Sequence, residues 1–121
     1  MAGTMVVDTL KSGTSGPAVF KNTSDVEVGQ LCRAWVNTDA GSATIYGSFN
    51  VSSVTYGSNN GRTVNFTNSL PDANYAAVIG TSQTSDIYAR PYQVSTQAAS
   101  NCQFNGGGGT YSGRFSFAFF R

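Results

Sequence analysis

The 121-residue chain is apolar at 40% of its positions and charged at only 11%, well below the share of about 25% in typical soluble domains. Its net charge is +1 and its lysines and arginines stand singly, so we expect no nucleic-acid partner. No apolar run reaches the length of a membrane helix, and the first residues lack the features of a signal peptide. We therefore expect one domain without membrane insertion.

The lack of histidine excludes several kinds of chemistry. Without His and with only two Cys, the chain has no ordinary zinc site, no Cys–His nucleophile and no common general base. The acidic residues are isolated or turn-like, where capping the backbone is favoured over catalysis. We predict that the protein is not an enzyme and has no metal or cofactor. Cys32 and Cys102 are expected as buried free thiols, with a disulfide as the less favoured alternative.

Residues 1–30 differ in pattern from the rest of the chain. Short apolar pairs are separated by Gly, Ser, Thr and Pro, and no helical period persists. This predicts an extended N-terminal arm with a turn at 13–17 that needs a partner surface to become ordered. Its candidate oligomer contacts are the apolar residues Val6, Val7 and Phe20.

Alternation of apolar and polar residues begins at Leu31. The segment LCRAWVN is apolar on both faces, which predicts a strand covered on both sides. In this interpretation Trp35, the largest apolar side chain, is buried with Phe49 or Phe66 among its neighbours.

In the segment SFNVSSV, at 48–54, the apolar residues change from odd to even positions between Val51 and Val54. A period of two cannot carry both residues into one core without an extra residue. We therefore predict a bulge or corner at Ser52 and Ser53, where the strand bends or changes sheet. The Asn-Gly pair at 60–61 then predicts a hairpin turn.

The second half of the chain predicts further strands. Pro71 and Asp72 indicate a turn, and YAAVIG at 75–80 is apolar on both faces, which favours a central strand. Pro91 within SDIYARPYQV predicts an edge strand or a bulge. The last strand places three aromatic residues on one face: Phe115, Phe117 and Phe119.

These patterns together predict seven or eight strands and no helix. We expect an all-β protein, an antiparallel β-sandwich that is jelly-roll-like. The predicted organisation is an attachment or trimerisation arm at 1–30 and a β-sandwich domain at 31–121.

The segment YARPY supplies a candidate receptor-binding surface. Tyr88, Arg90 and Tyr92 alternate, so they can share one exposed face, and Tyr111 is expected beside them. The pattern alone favours a second interpretation, in which the tyrosines cover a core edge and the arginine is solvated. The glycines at 106–109 predict a flexible loop, because a phosphate site needs a following helix.

Four motifs occur in a characteristic order: AWVN at 34–37, SFNVSS at 48–53, TVNF at 63–66 and PDANY at 71–75. In this order and combination the chain resembles the C-terminal β domains of bacteriophage tail-fibre and other virion proteins, frequent in phages of cyanobacteria and marine bacteria. The resemblance covers about residues 5–80 and, loosely, the final strand.

The resemblance implies a homotrimeric virion appendage. Such a protein assembles in the host cytoplasm with other virion proteins and contacts a host-surface glycan or protein. Host attachment as a fibre or spike is therefore the leading expectation. The shortness of the chain favours the alternative, a capsid decoration or cement protein that binds no receptor. A depolymerase is the least supported, because paired acids, His and long β-helical repeats are lacking.

Overall fold

The computed structural model describes residues 20–29, 31–57, 61–82, 93–106 and 113–121. The chain divides into two compact units, Met1–Leu31 and Cys32–Arg121. Several residues and segments singled out above lie outside the described residues: Val6, Val7, the turn at 13–17, Asn60, Tyr88, Arg90, Pro91, Tyr92, the loop glycines 107–109 and Tyr111.

The first unit contains a β-hairpin that the sequence analysis did not predict. Strands β1 (Phe20–Lys21) and β2 (Glu27–Gly29) pair antiparallel. Asn22 holds the turn, because its side-chain oxygen accepts hydrogen bonds from the backbone N–H groups of Ser24, at 2.9 Å, and Val26, at 3.0 Å. Asparagine side chains favour this local bonding in turns. The described part of the arm is thus a closed hairpin.

The described part of the second unit forms two four-stranded antiparallel sheets, and it contains no helix. The strands are β3 (Cys32–Asp39), β4 (Ile45–Phe49), β5 (Val51–Tyr56), β6 (Arg62–Phe66), β7 (Ala76–Ser82), β8 (Gln93–Ala98), β9 (Asn101–Asn105) and β10 (Arg114–Phe120). Sheet I has the order β4-β3-β10-β7 and sheet II the order β5-β6-β9-β8. The predicted all-β antiparallel sandwich is confirmed. The eight described strands in two sheets match the strand count of a jelly roll, but the hairpins β3–β4, β5–β6 and β8–β9 each stay within one sheet.

The two sheets enclose an aromatic core. On β10 the residues Phe115, Phe117 and Phe119 share one face, as the sequence predicts, and this face points inward and is fully buried. Phe117 packs on Phe104 of sheet II with ring centroids 4.5 Å apart, and Phe119 packs on Phe66 at 4.9 Å. The close ring contacts between β10 and sheet II join the two layers.

The chain passes from sheet I to sheet II at Asn50. This residue adopts a positive φ of 54°, a conformation that Asn tolerates better than most residues. Its amide donates to the carbonyls of Arg33 and Asn68, and its oxygen accepts from the backbone N–H of Asn68. The predicted bulge follows at Ser52, where the register with β6 shifts. The bulge is confirmed, while the corner itself lies two residues earlier.

The predicted burial of Trp35 is wrong. Trp35 lies on the outer face of sheet I and is 42% exposed, although it does face Phe49 across β3 and β4. The physical reason is that a two-layer sandwich covers only the inner face of each sheet. Strand β7, predicted to be central, is an edge strand of sheet I, and its Val78 is 55% exposed.

The turns agree with the sequence predictions better than the burial of Trp35 and the position of β7 do. Strands β5 and β6 form the predicted hairpin, closed by a hydrogen bond from the Gly57 N–H to the Gly61 carbonyl at 2.8 Å. Asp72 caps the predicted turn by accepting from the Asn74 N–H at 2.8 Å. Strand β8 lies at the edge of sheet II with a register shift after Val94.

The two cysteines are free thiols, as the favoured prediction states. Cys102 is fully buried in the core, and this burial raises the pKa of its thiol. Cys32 is only half-buried, and its Sγ lies 3.2 Å from the carbonyl of Ala34. The prediction that both thiols are buried is therefore correct for Cys102 alone.

An ion pair ties the end of β10 to the turn before β7. Arg121 donates to both carboxylate oxygens of Asp72, at 3.0 and 2.6 Å. The guanidinium, followed by the Asn74 N–H, holds the pKa of the Asp72 carboxyl below its ordinary value of 3.8. A carboxyl with a lowered folded-state pKa stabilises the fold above its unfolded pKa, and this contribution is lost as pH falls through the lowered value.

We therefore expect the Asp72→Asn variant to be less stable than the wild type at neutral pH and equally stable at strongly acidic pH. Urea unfolding of both proteins between neutral pH and about pH 2 measures whether their free energies of unfolding become equal as the pH falls. Glu27→Gln removes an exposed carboxylate of the hairpin and serves as the matched control. A stability difference for Asp72→Asn that stays constant across the pH range would show that the ion pair does not contribute.

Candidate functional site

The outer face of sheet I carries a row of apolar side chains across all four strands. In register, Phe49 of β4 faces Trp35 of β3, which faces Ala118 of β10, which faces Val78 of β7. Phe49 and Val78 are each 55% exposed and Trp35 is 42% exposed. We call these four residues the aromatic row. Contiguous exposed apolar patches on soluble proteins can mark interaction surfaces.

The next row along the same face is small and polar. Gly47, Asn37, Ser116 and Gly80 follow one another from β4 to β7. A Cβ atom on Gly47 would lie 3.4 Å from Cη2 and 3.5 Å from Cζ3 of the Trp35 ring. The Cη2–Cζ3 edge of the Trp35 ring therefore reaches Gly47 on the neighbouring strand.

A groove of about 350 Å³ opens between these residues, near the lower end of the range of about 300–1,000 Å³ for small-molecule sites. Its floor is β10, where Ser116 and Ala118 alternate with the inward phenylalanines. Trp35 and Val78 form its two walls. A second depression of about 280 Å³ continues the groove toward Arg114 and Thr81.

Asn37 lines both depressions. Its Oδ1 atom is buried and has no hydrogen-bond partner among the described residues. A buried acceptor without a partner costs about 1–3 kcal/mol, and because solvent does not reach this oxygen, a ligand hydroxyl in the groove does not reach it either. Ser116 presents a hydroxyl group beside it on the neighbouring strand.

One end of the groove carries opposite charges. The Arg114 guanidinium lies 4.3 Å from the centre of the Tyr46 ring, and the Tyr46 hydroxyl donates to Asp39 at 3.1 Å. The Gly41 backbone N–H, aided by the Tyr46 hydroxyl, holds the pKa of Asp39 below its ordinary value. Arg114 and Asp39 face each other in the register of β10 and β3. This end is thus close to electrically neutral.

The sequence analysis missed this face. Its candidate receptor patch of Tyr88, Arg90, Tyr92 and Tyr111 lies outside the described residues and stays a prediction. The available signal was the pattern RFSFAFF, in which small residues alternate with phenylalanines. A strand with one bulky and one small face predicts a groove on the small side when its neighbours carry large residues there.

The described residues contain no group of three or more His, Cys, Asp or Glu side chains placed to hold a metal ion. Within the same described ranges, no helix long and apolar enough to cross a membrane is found. Comparisons with known protein families, with curated proteins and with solved structures found no match to this chain.

Proposed function

We propose that the chain is a structural component of a bacteriophage virion, a homotrimeric fibre or spike protein that takes part in attachment to the host surface. The order of the four sequence motifs supports the virion assignment. The observation that carries the attachment role is the uncovered aromatic row with its adjoining groove. Trp35, Phe49 and Val78 remain exposed in the chain by itself, so a binding role accounts for their position.

The hairpin of the first unit supports the trimer. Phe20, Val26 and Val28 are exposed by 42%, 56% and 62%. A two-stranded hairpin is at best marginally stable by itself, and so short a unit is too small to build a core of its own. Burial of these side chains against other copies of the chain, together with Val6 and Val7, supplies the missing apolar contacts.

Light scattering tests the trimer. We expect a particle of three times the 12.7 kDa chain mass, and we expect the Val26→Asp/Val28→Asp double variant to be monomeric because it places two charges in the apolar contact. Thr23→Asp/Ser24→Asp adds the same charges to the exposed turn of the same hairpin and should remain trimeric. A wild-type monomer at micromolar concentration would contradict the proposed assembly.

Competition for adsorption tests the attachment role. Purified protein in excess should reduce the adsorption of the phage that carries it, because free protein and phage compete for the same host receptor. The protein denatured by heat is the control. Adsorption that is unchanged by saturating native protein would contradict attachment and would leave capsid decoration as the better assignment.

A further inference from the structure

We propose that the groove on the outer face of sheet I is a carbohydrate-binding site that takes a neutral pyranose ring beside Trp35. The inference deepens the attachment role by naming the ligand class and the site. It rests on the proposed function only in assigning the sugar to the host surface.

The first argument is the pairing of an aromatic wall with polar groups. A pyranose ring has an apolar C–H face that packs on an aromatic ring and a rim of hydroxyl groups. Trp35 offers a half-exposed indole, and Ser116 offers an exposed hydroxyl group one row away on the same face. Binding sites combine an apolar lining with a few placed polar groups, as this groove does.

The second argument is the exposed hydroxyl group of Ser116 on the groove floor. Ser116 is exposed on β10 and lines both depressions, between Asn37 and Gly80. A sugar hydroxyl both donates and accepts hydrogen bonds, so it can pair with the Ser116 hydroxyl in either direction. A purely aliphatic ligand would displace water from this hydroxyl without replacing the hydrogen bond, at a cost of about 1–3 kcal/mol.

The third argument is charge. At one end of the groove Arg114 stands opposite Asp39, so these two charges largely cancel there. The chain as a whole has a net charge of only +1. A neutral sugar matches this potential better than a polyanion, whose binding would require a surplus of basic side chains.

A second copy of the chain fits the face less well. A stable protein interface buries about 1,200–2,000 Å² in total, whereas the described outer face of sheet I offers Trp35, Tyr46, Phe49 and Val78 as its large exposed hydrophobic side chains. The proposed trimer joins different patches of neighbouring copies. It is assigned to the exposed apolar residues of the hairpin and does not require this face.

A single open groove of this size implies modest affinity for one sugar ring. The homotrimer compensates, because three linked sites raise the apparent affinity by about 10²–10⁴ when they engage together. The same protein as a monomer should therefore bind soluble oligosaccharides similarly but a dense glycan surface far more weakly.

Trp35 provides the probe, because it is the single tryptophan of the chain and its fluorescence reports on the groove alone. The native protein is titrated with neutral gluco-, galacto-, manno- and N-acetylglucosamine oligosaccharides and, for comparison, with the acidic polysaccharide alginate. We expect a saturable emission change and protection from acrylamide quenching with at least one neutral oligosaccharide. Binding of alginate alone, or of none of these probes, would overturn the proposal.

Two pairs of variants locate the site. Ser116→Ala should weaken binding about tenfold, which corresponds to one hydrogen bond of about 1.4 kcal/mol, and Ser95→Ala, at an exposed position of β8, is its control. Val78→Arg fills the groove and should abolish binding, whereas Val94→Arg, on an exposed position of β8, should not. Equal affinities within each pair would overturn the assignment to this groove.

The acrylamide quenching experiment distinguishes failure of the carbohydrate site from failure of the proposed trimer. Trp35 could be protected from acrylamide in the oligomer without any sugar. If that protection is lost in the dissociated Val26→Asp/Val28→Asp variant, another subunit covers the face. That outcome overturns the carbohydrate site and leaves the trimer and the virion role standing. A monomer that binds sugar contradicts the trimer and leaves the carbohydrate site standing.

Discussion

Truncation of Phe119 to alanine is expected to lower the free energy of unfolding by about 3–5 kcal/mol, the range for a large aromatic side chain in a packed core. Phe119 is fully buried. Its ring lies 4.9 Å from Phe66 and 5.8 Å from Tyr75, centre to centre, with edge-to-face geometry in both contacts. Removal of the ring leaves a cavity between the two sheets that these neighbours cannot fill. Urea unfolding followed by circular dichroism at fixed protein concentration measures the loss.

The Trp35→Ala variant serves as the comparison for Phe119→Ala, because it removes an exposed aromatic ring instead of a buried one. The Trp35 ring is larger but 42% exposed, so we expect a loss of only about 1–2 kcal/mol from the part of its surface that is covered. Equal losses for the two variants would show that Trp35 is buried in the assembled protein and would contradict an open aromatic row.

Truncation of Arg62 to alanine is expected to cost about 3 kcal/mol, because it removes a buried charge-assisted hydrogen bond and a desolvated cation–π contact. Arg62 is 1% exposed, and its guanidinium lies 3.6 Å from the centre of the Tyr56 ring. Its Nη2 atom donates to the carbonyl of Ala40, so the side chain connects β6 of sheet II with the residue that follows β3 of sheet I.

Two further variants test this role in the same urea experiment. Arg62→Lys keeps the charge but loses the planar group that stacks and donates together, so its stability should stay well below that of the wild type. Arg114→Ala removes a cation–π contact on exposed Tyr46 and should cost less than about 1 kcal/mol. An Arg62→Ala protein as stable as Arg114→Ala would contradict the account of the buried arginine.

The fold could be predicted from the sequence wherever local alternation decides it. In β10 each inward position is Phe115, Phe117 or Phe119, so a period of two leaves no ambiguity about the buried face. The change of parity around Ser52 likewise required an extra residue, and the bulge lies there. The hairpin at 20–29 was missed because its signal is the side-chain capping of Asn22 rather than alternation.

The candidate site depends on features that no local pattern contains. Trp35 lies in a strand that is apolar on both faces. The local sequence does not show whether another layer of the protein covers the face that carries Trp35. The groove also requires the register of three strands. Asn37, Ser116 and Gly80 lie far apart in the sequence and become neighbours only through the pairing of β3, β10 and β7. The position of β7 at the edge of sheet I likewise follows from strand pairing and not from its local sequence.

The proposed attachment surface of this virion protein is the outer face of sheet I. A cryo-electron microscopy reconstruction of the intact particle, at a resolution that places the chain, tests this proposal. We predict three copies in a tail appendage, with Trp35, Phe49 and Val78 directed away from the particle and open to solvent. Copies arrayed on the capsid lattice, or a sheet I face packed against another virion subunit, would contradict it.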